Sequence, residues 1–396
     1  MLTRGICLLI ILMGGCGQQS GPLSQSGNAL SQQSSCGTKN DFFTVSPIAQ
    51  SDLTNIVPLG NPNPPAHIFP TDHIYFYLRR SGPPPQSGAL APAAEVPVVA
   101  PGNMTLVRVN SKQYLSSTRQ GFQPHTDYEI EFSLCSEFTA RFDHLASLSD
   151  KIKSQSPPSD SCQTYDTGAE VIKSCVQNVN INLNAGDSLG TAGGPNGSNA
   201  LDFGAIDTRI PSPVYANPSR WGPNTLSAVC ALDYYTSDQQ SVLKAKLGSF
   251  QGNLRTIPPL CGTVAQDVPN TAQGVWFVKG TMQTYPEAPH LALVHDNIDP
   301  SKGVFSVGSS MSASGLSAVA YNFVPTTSGS VNTDFKNIGT DGKTYCFETS
   351  SQFSPGTFVI ILQLTTSNTL RMEKQTLTKC GSGPWTFGST YTDFER

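Results

Sequence analysis

The chain has 396 residues, and 24 basic residues against 28 acidic ones give it a net charge of −4 at pH 7. This balance excludes the basic surface that nucleic-acid binding requires. A charged fraction of 13% with 9% aromatic residues excludes an extensively disordered chain. The length is sufficient for two domains, and the low charge argues against long charged helices and coiled coils. We therefore predict an exported, all-β protein with mainly antiparallel strands.

The first fifteen residues have the pattern of an export signal. Arg4 precedes a short apolar run over residues 6–13, which is shorter than the roughly 20 residues that a membrane-spanning helix needs. The run ends in Met13-Gly14-Gly15-Cys16, which resembles the lipid-attachment motif of bacterial lipoproteins. The alternative is an ordinary secretory signal that happens to contain Cys16.

The lipoprotein resemblance implies that residues 1–15 are removed and that Cys16 carries lipid, so the protein contacts the membrane through its N-terminal lipid. Because Gly17 rather than Asp follows Cys16, the resemblance also implies sorting to the outer membrane of the bacterial cell envelope. Residues 16–40 are rich in Ser, Gln and Gly, which predicts a flexible tether.

Eight further cysteines indicate up to four disulfides, because an even number in an exported chain is typical of an oxidising compartment. No C-x2-C pair, the usual spacing of a structural zinc site, occurs among them. The sequence does not fix the connectivity, and we favour pairing between near neighbours, which leaves the first two cysteines for each other. The favoured pairs are Cys162–Cys175, Cys230–Cys261, Cys346–Cys380 and Cys36–Cys135.

Runs of apolar and β-branched residues predict strands separated by turn clusters. In the first half, the predicted strands cover residues 73–78, 96–100, 104–109, 128–134, 139–145, 176–183 and 200–206. In the second half, they cover residues 275–279, 291–294, 304–307, 318–323, 345–348, 358–364 and 369–372. One helix is predicted over residues 238–247, with Ser237 and Gln240 as a capping box and Gly248 as the stop.

Four prolines within residues 210–223 predict a domain boundary. We place the first domain at residues 41–212 and the second at residues 213–396. The second domain has one helix followed by strands, and we expect a β-rich accessory domain of the sandwich or small barrel type. Its sequence indicates no particular role.

Five segments of the first domain form a recognisable pattern. Three contain His or Asp side chains suited to binding a metal, and two have the pattern of a strand or a turn. The five segments are His67-Ile68-Phe69-Pro70-Thr71-Asp72-His73, Val96 to Val107, Arg141-Phe142-Asp143-His144-Leu145, Asn184 to Gly190, and Asn199-Ala200-Leu201-Asp202-Phe203-Gly204.

In this order, the segments resemble the lysostaphin-type (LytM-like) zinc metallopeptidase family, over residues 57–207. The resemblance implies a duplicated-hybrid-motif peptidase fold of antiparallel strands and a substrate in peptidoglycan cross-bridges. Asp72 matches the family's zinc-binding Asp, whereas His67 lies one residue farther from it than the motif allows. Asp202 stands where the family has a zinc-binding His, and Ala200 replaces a catalytic His.

The resemblance therefore implies a zinc site with an altered ligand set. The implied ligands are Asp72, Asp202 and either His67 or His73, and the implied catalytic residue is His144. Zinc hydrolysis needs three protein ligands and an open position for water, and a nearby imidazole that stabilises charge or moves a proton. Each residue also has a structural interpretation, as the start of a strand, part of a Pro-rich loop, or a hydrogen-bonded side chain.

Two functions follow from these residues. The first is a zinc-dependent peptidoglycan endopeptidase. The alternative, motivated by Ala200, is a catalytically inactive LytM-like domain that binds peptidoglycan or regulates a cell-wall hydrolase. A purely structural surface protein is the third interpretation.

Overall fold

The computed structural model describes residues 33–82, 91–117, 122–157, 161–166, 170–195, 197–351 and 358–396. The predicted signal peptide, Cys16 and the first part of the predicted tether lie outside these residues. None of the described helices is long and apolar enough to cross a membrane. Strands account for 42% of the structure and helices for 10%, mostly in antiparallel pairs, which confirms the predicted all-β class.

The first sheet contains eleven of the strands in the described residues. They are β1 (Leu53–Val57), β2 (His73–Leu78), β3 (Val96–Val99), β4 (Met104–Ser117), β5 (His125–Cys135), β6 (Phe138–Leu148), β7 (Ser161–Asp166), β8 (Glu170–Leu183), β9 (Ser188–Ala192), β10 (Ala200–Asp207) and β11 (Ala228–Val229). The main path runs β1-β2-β10-β6-β5-β4-β8-β7, while β9 joins β3 to β6, and β11 pairs with β10.

One face of this sheet packs on a hydrophobic core. Alternate side chains of the central strands point into that core, among them Ile74 and Phe76 of β2, Phe142 of β6 and Phe203 of β10. The intervening side chains of these strands lie on the opposite face, because successive residues of a strand point to opposite sides. That second face carries the candidate site.

The second sheet contains eight strands of the described chain. They are β12 (Gly274–Val278), β13 (Leu291–His295), β14 (Gly303–Val307), β15 (Ala320–Phe323), β16 (Tyr345–Glu348), β17 (Val359–Thr366), β18 (Thr369–Gln375) and β19 (Thr392–Glu395). Their order is β15-β14-β13-β12-β19-β18-β17-β16, and the sheet is nearly closed and barrel-like. A core of its own, centred on Trp276, Phe305 and Phe347, fills the sheet.

Short helices lie between the strands of the first sheet and in the segment that connects the two sheets. They are α1 (Asp150–Gln155), α2 (Pro223–Leu226) and α3 (Ser237–Lys244), and 3-10 turns lie at Pro218–Arg220, Ala231–Tyr234, Ser309–Ser314 and Phe335–Asn337. The predicted helix exists, but it begins at Ser237 behind the N-cap residue Thr236 and lacks a side-chain cap hydrogen bond. The predicted capping box is wrong because Gln240 donates its amide to the carbonyl of Leu232 instead.

The first hydrophobic core continues beyond residue 212. Leu232, Leu243 and Leu247, from α3 and the segments that flank it, are buried in it. Segments on the C-terminal side of the predicted domain boundary therefore pack on the first sheet rather than on the second.

All four favoured disulfides are present. Their partners are Cys36–Cys135, Cys162–Cys175, Cys230–Cys261 and Cys346–Cys380. Cys36–Cys135 ties the segment that precedes the first sheet to the end of β5, and Cys162–Cys175 joins register partners on β7 and β8.

The Pro-rich loop before β2 is anchored on the second sheet. The ring of Phe69 is buried against Trp221, Phe277 and His290, at centroid distances of 5.2, 5.4 and 5.6 Å. The backbone N–H of Phe69 also donates to the carboxylate of Glu287 at 3.0 Å. The second sheet thus helps to fix the loop that leads into Asp72 and His73.

Candidate functional site

The candidate site lies on the polar face of the first sheet, where β2, β10 and β6 run side by side. The register pairs His73 with Gly204, and Asp202 with Asp143. Because the neighbours of these residues along each strand point into the core, the polar side chains share the other face.

A break in β6 brings His144 to this face. Tyr128 of β5 pairs with Leu145 of β6, and Ile130 pairs with Phe142. Between these two pairs, β6 has two residues and β5 has only one, which is a β-bulge. His144 occupies the extra position with φ of 71°, a left-handed conformation that few non-glycine residues adopt. Asp143 and His144, which would otherwise point to opposite sides, therefore both belong to the polar face.

Carboxylates and imidazoles alternate along a continuous row of contacts. Asp72 Oδ1 lies 3.0 Å from His73 Nδ1, and His73 Nε2 lies 3.3 Å from Asp202 Oδ2. The same Asp202 oxygen lies 3.6 Å from His144 Nε2, and His144 Nδ1 lies 2.6 Å from Asp127 Oδ2. We call these five residues the acid–imidazole row. Of its members, Asp72, His73, Asp202 and His144 were predicted as site residues, and Asp127 was not.

Arg141 completes the row at the Asp72 end. Its Nη2 donates to Asp72 Oδ1 at 2.9 Å, and its side chain is only 9% exposed. Burial alone would raise the pKa of Asp72, but Arg141 and His73 outweigh burial and hold that pKa far below its usual value. Asp72 is therefore a carboxylate already neutralised by neighbouring cations.

The acidic neighbours also hold both imidazoles in their charged form. Burial lowers the pKa of His73, but Asp202 and Asp72 outweigh this effect and raise it to about 9. Burial opposes the charge on His144 as well, and Asp127, Asp143 and Asp202 raise its pKa to about 10. At neutral pH, both imidazoles of the row are therefore imidazolium cations.

A second group of buried charges adjoins the row on β4, β5 and β6. Arg108 Nη2 lies 2.8 Å from Glu131 Oε2, and Lys112 Nζ lies 2.8 Å from Asp143 Oδ2 and 3.3 Å from Glu129 Oε2. The sequence analysis assigned no role to these residues. A signal was available, because charged residues alternate along β4 and β5 and an alternating pattern places them on one face.

His67 lies at the edge of the site rather than within it. Its ring centroid is 5.4 Å from that of His73, and its Nδ1 is 3.9 Å from Oε1 of Glu287, which lies in the loop between β12 and β13. Of the two histidines predicted as alternative ligands, only His73 joins the row.

The predicted zinc ligands do not surround a common point. Asp72 and Asp202 contact opposite nitrogens of the His73 ring, so their carboxylates cannot share one ion with that imidazole. Arg141 already occupies the cation position beside Asp72. The buried Nε2 of His73 and Oδ1 of Asp202 lack a hydrogen bond of good geometry, but Asp202 Oδ2 lies between the two imidazoles. The arrangement therefore does not fit zinc on the predicted set.

In another cluster, the possible ligand atoms are close enough to hold a metal ion, but the side chains that carry them already have protein partners. Asp127, Asp143 and His144 bring three such atoms within 4.8 Å of one another. Lys112 Nζ and the backbone N–H of His144 already bind the two oxygens of Asp143, and His144 binds Asp127. Because a buried ammonium supplies the cation here, we assign no metal to the cluster.

A cleft of about 580 Å³ opens beside the row. The His144 and Asp127 side chains reach its wall, and Phe122, His125, Tyr128 and Lys153 also line it. The ring of His125 stacks on Tyr114 of the neighbouring strand, with centroids 4.7 Å apart and planes 9° apart. The glycine-rich segment that contains Gly193 and Gly194 lines the cleft as well. The lining of the cleft therefore combines aromatic rings with polar and charged side chains.

Comparison of the chain with protein-family models, with curated proteins and with solved structures gives no match. The resemblance to lysostaphin-type peptidases thus rests on the sequence motifs alone, and the family assignment stays a prediction.

Proposed function

We propose that the protein is an exported cell-envelope protein whose first sheet presents a catalytically inactive, LytM-like binding site for peptidoglycan. The observation that carries this proposal is the contact between Arg141 and Asp72. A buried guanidinium 2.9 Å from the carboxylate that corresponds to a zinc ligand supplies the positive charge that a metal ion would otherwise supply.

Two further features support an inactive site. Ala200 provides no side chain for acid–base chemistry at the position of a catalytic His. His144 is held as an imidazolium by three carboxylates, and a general base must be able to accept a proton at the working pH. Activation of a water molecule by this histidine is therefore disfavoured at neutral pH.

The cleft beside the row is the proposed binding surface. Its volume of about 580 Å³ lies within the usual range of ligand sites, roughly 300–1,000 Å³. Phe122 and His125 offer rings for sugar or peptide groups, and the glycine segment forms part of the wall of the same cleft. Four disulfides support export to an oxidising compartment. Attachment through lipid on Cys16 and an outer-membrane location remain predictions.

The first experiment combines metal content, binding and cleavage. The exported chain is purified with Cys16→Ser and without chelator, and its zinc is measured by elemental mass spectrometry before and after zinc is added. We expect no stoichiometric zinc and no release of peptides from purified sacculi, but co-sedimentation with them. About one zinc per chain, lost in Asp72→Ala, together with cleavage would overturn the proposal in favour of the zinc endopeptidase.

Variants locate the binding surface. Phe122→Ala with His125→Ala removes the aromatic side of the cleft and is expected to weaken co-sedimentation at least tenfold. Phe250→Ala is the matched control, because Phe250 is 45% exposed and lies outside the residues that line the cleft. Sacculus binding that is equal in all three proteins would contradict the cleft as the binding surface. Capture of a purified wall hydrolase instead of sacculi would favour the regulatory form of the prediction.

A further inference from the structure

Lys112, Glu129 and Asp143 form a buried triad that the candidate site does not use. Their side chains are 5%, 5% and 11% exposed. Lys112 Nζ donates to Asp143 Oδ2 at 2.8 Å and to Glu129 Oε2 at 3.3 Å. Asp143 Oδ1 accepts the backbone N–H of His144 at 2.9 Å. The amine nitrogen of Lys112, the carboxyl carbon of Asp143, a second carboxylate and a donor to the carboxyl oxygen therefore meet in one place.

From this geometry we propose that Lys112 and Asp143 condense spontaneously into an intramolecular isopeptide bond, with Glu129 as the proton carrier. The bond would link β4 to β6 across β5. The bond would remove the charge of Asp143, one of the three carboxylates beside His144, and leave Asp127 and Asp202 in place. The proposal concerns the covalent state of the sheet and does not depend on the ligand of the cleft.

The reaction balances without any other reactant. The Lys112 ammonium gives up two of its three protons, the nitrogen forms a bond to Asp143 Cγ, and the Cγ–Oδ2 bond breaks. The departing oxygen leaves as water with those two protons. One proton passes directly from Nζ to Oδ2 along the 2.8 Å hydrogen bond, and Glu129, 3.3 Å from Nζ, accepts the second and releases it to the departing oxygen. The remaining oxygen, Oδ1, becomes the amide oxygen, and the His144 N–H is placed to stabilise the charge that develops on it during attack.

The burial of the Lys112–Asp143 ion pair favours the neutral product. Both side chains are withdrawn from water, at 5% and 11% exposure. Charges withdrawn from water are costly even when they are paired. Condensation replaces one buried ion pair by an amide, and Arg108, 3.5 Å from Glu129, remains as a partner for that carboxylate.

The strand arrangement keeps the reacting atoms in place. β4, β5 and β6 are neighbours in the sheet, with Arg108 opposite Glu131 and Lys112 opposite Asp127. The bulge at Asp143 and His144 turns the carboxyl group and the donating N–H toward the same triad. Reacting groups that are held in contact and shielded from water gain the large advantage of an intramolecular reaction.

The test is the mass of the protein itself. The exported Cys16→Ser chain is reduced, and its intact mass is measured and then its tryptic fragments. We expect a deficit of one water molecule relative to the sequence, no cleavage after Lys112, and one fragment in which residues 109–119 are joined to residues 142–151. The full sequence mass with cleavage after Lys112 would overturn the proposal.

Variants test the assigned roles. Lys112→Arg and Glu129→Gln are expected to abolish the cross-link, so that each variant has the full mass of its sequence. Glu131→Gln is the matched control, because Glu131 lies on the same strand and pairs with Arg108 rather than with Lys112. It is expected to keep the cross-link. A cross-link that persists in Glu129→Gln would refute the role of Glu129, and if this variant does not fold, the masses of the wild-type fragments alone decide the proposal.

Discussion

The guanidinium of Arg141 lies 2.9 Å from the carboxylate of Asp72, and it reaches this position across Gly204 on the neighbouring strand. A Cβ atom at position 204 would lie 3.1 Å from Arg141 Cζ, so the glycine provides the space that the guanidinium occupies. Gly204 therefore leaves room for a protein cation at the Asp72 end of the row.

A double-mutant cycle measures this pair. Arg141→Met leaves the partly buried Asp72 without its main cation but with His73 still beside it. We therefore expect the free energy of unfolding to fall by less than the roughly 3–5 kcal/mol that breaking a fully buried ion pair costs. In Arg141→Met with Asp72→Asn, the uncompensated charge is removed as well, so the double variant is expected to be more stable than the two single losses added together. Denaturant unfolding with the disulfides intact provides the measurement. Effects that add within about 0.5 kcal/mol would show that the two residues do not interact.

Most of the fold was predictable, because apolar patterns identify strands that have a buried face. The predicted limits of His73–Leu78 and Tyr345–Glu348 are confirmed to the residue, and each other predicted strand overlaps an observed one. Five strands were missed, namely β1, β7, β9, β11 and β19. The residues of β7, for example, are largely exposed and polar, so its strand conformation depends on pairing with β8 rather than on a pattern of its own.

Four residues of the row were predictable from the sequence, and their contacts were not. Asp72, His73, Asp202 and His144 were named as candidates and lie together, whereas Asp127 and Arg141 were not named as candidates. The sequence alone had no means to foresee Asp202 between two imidazoles, or Arg141 on Asp72. Those contacts depend on strand register and on a bulge at His144, neither of which follows from residue type or spacing.

Alkaline pH is expected to destabilise the protein through His73 and His144. Their folded pKa values, about 9 and about 10, lie above the usual value near 6.5 of an unfolded histidine. A raised pKa means that the stabilisation is complete below about pH 6.5 and is lost as the pH rises through the folded pKa values. The free energy of unfolding should therefore fall between about pH 6.5 and pH 10.

Imidazole NMR titration and denaturant unfolding over this pH range test that expectation. Asp127→Asn removes the carboxylate 2.6 Å from His144 Nδ1, so it should lower the pKa of His144 and leave His73 nearly unchanged. The alkaline loss of stability should then become smaller. Imidazoles that titrate near pH 6.5 in the wild-type protein would refute the charged state that we assign to the row.

Removal of single disulfides should destabilise the protein according to the length of chain that each one closes. Cys36–Cys135 spans 99 residues and Cys162–Cys175 spans 13. A cross-link limits the freedom of the unfolded chain more when the loop is longer, which gives about 4.7 kcal/mol for a loop near 100 residues and about 3 kcal/mol for one near 15. We therefore expect the paired Ser variant of Cys36 and Cys135 to lose more stability than that of Cys162 and Cys175, by about 1–2 kcal/mol. Unfolding of both variants in the same denaturant series provides the comparison. The opposite order would mean that Cys162–Cys175 stabilises the folded hairpin of β7 and β8 directly, and that loop length in the unfolded chain does not decide the loss.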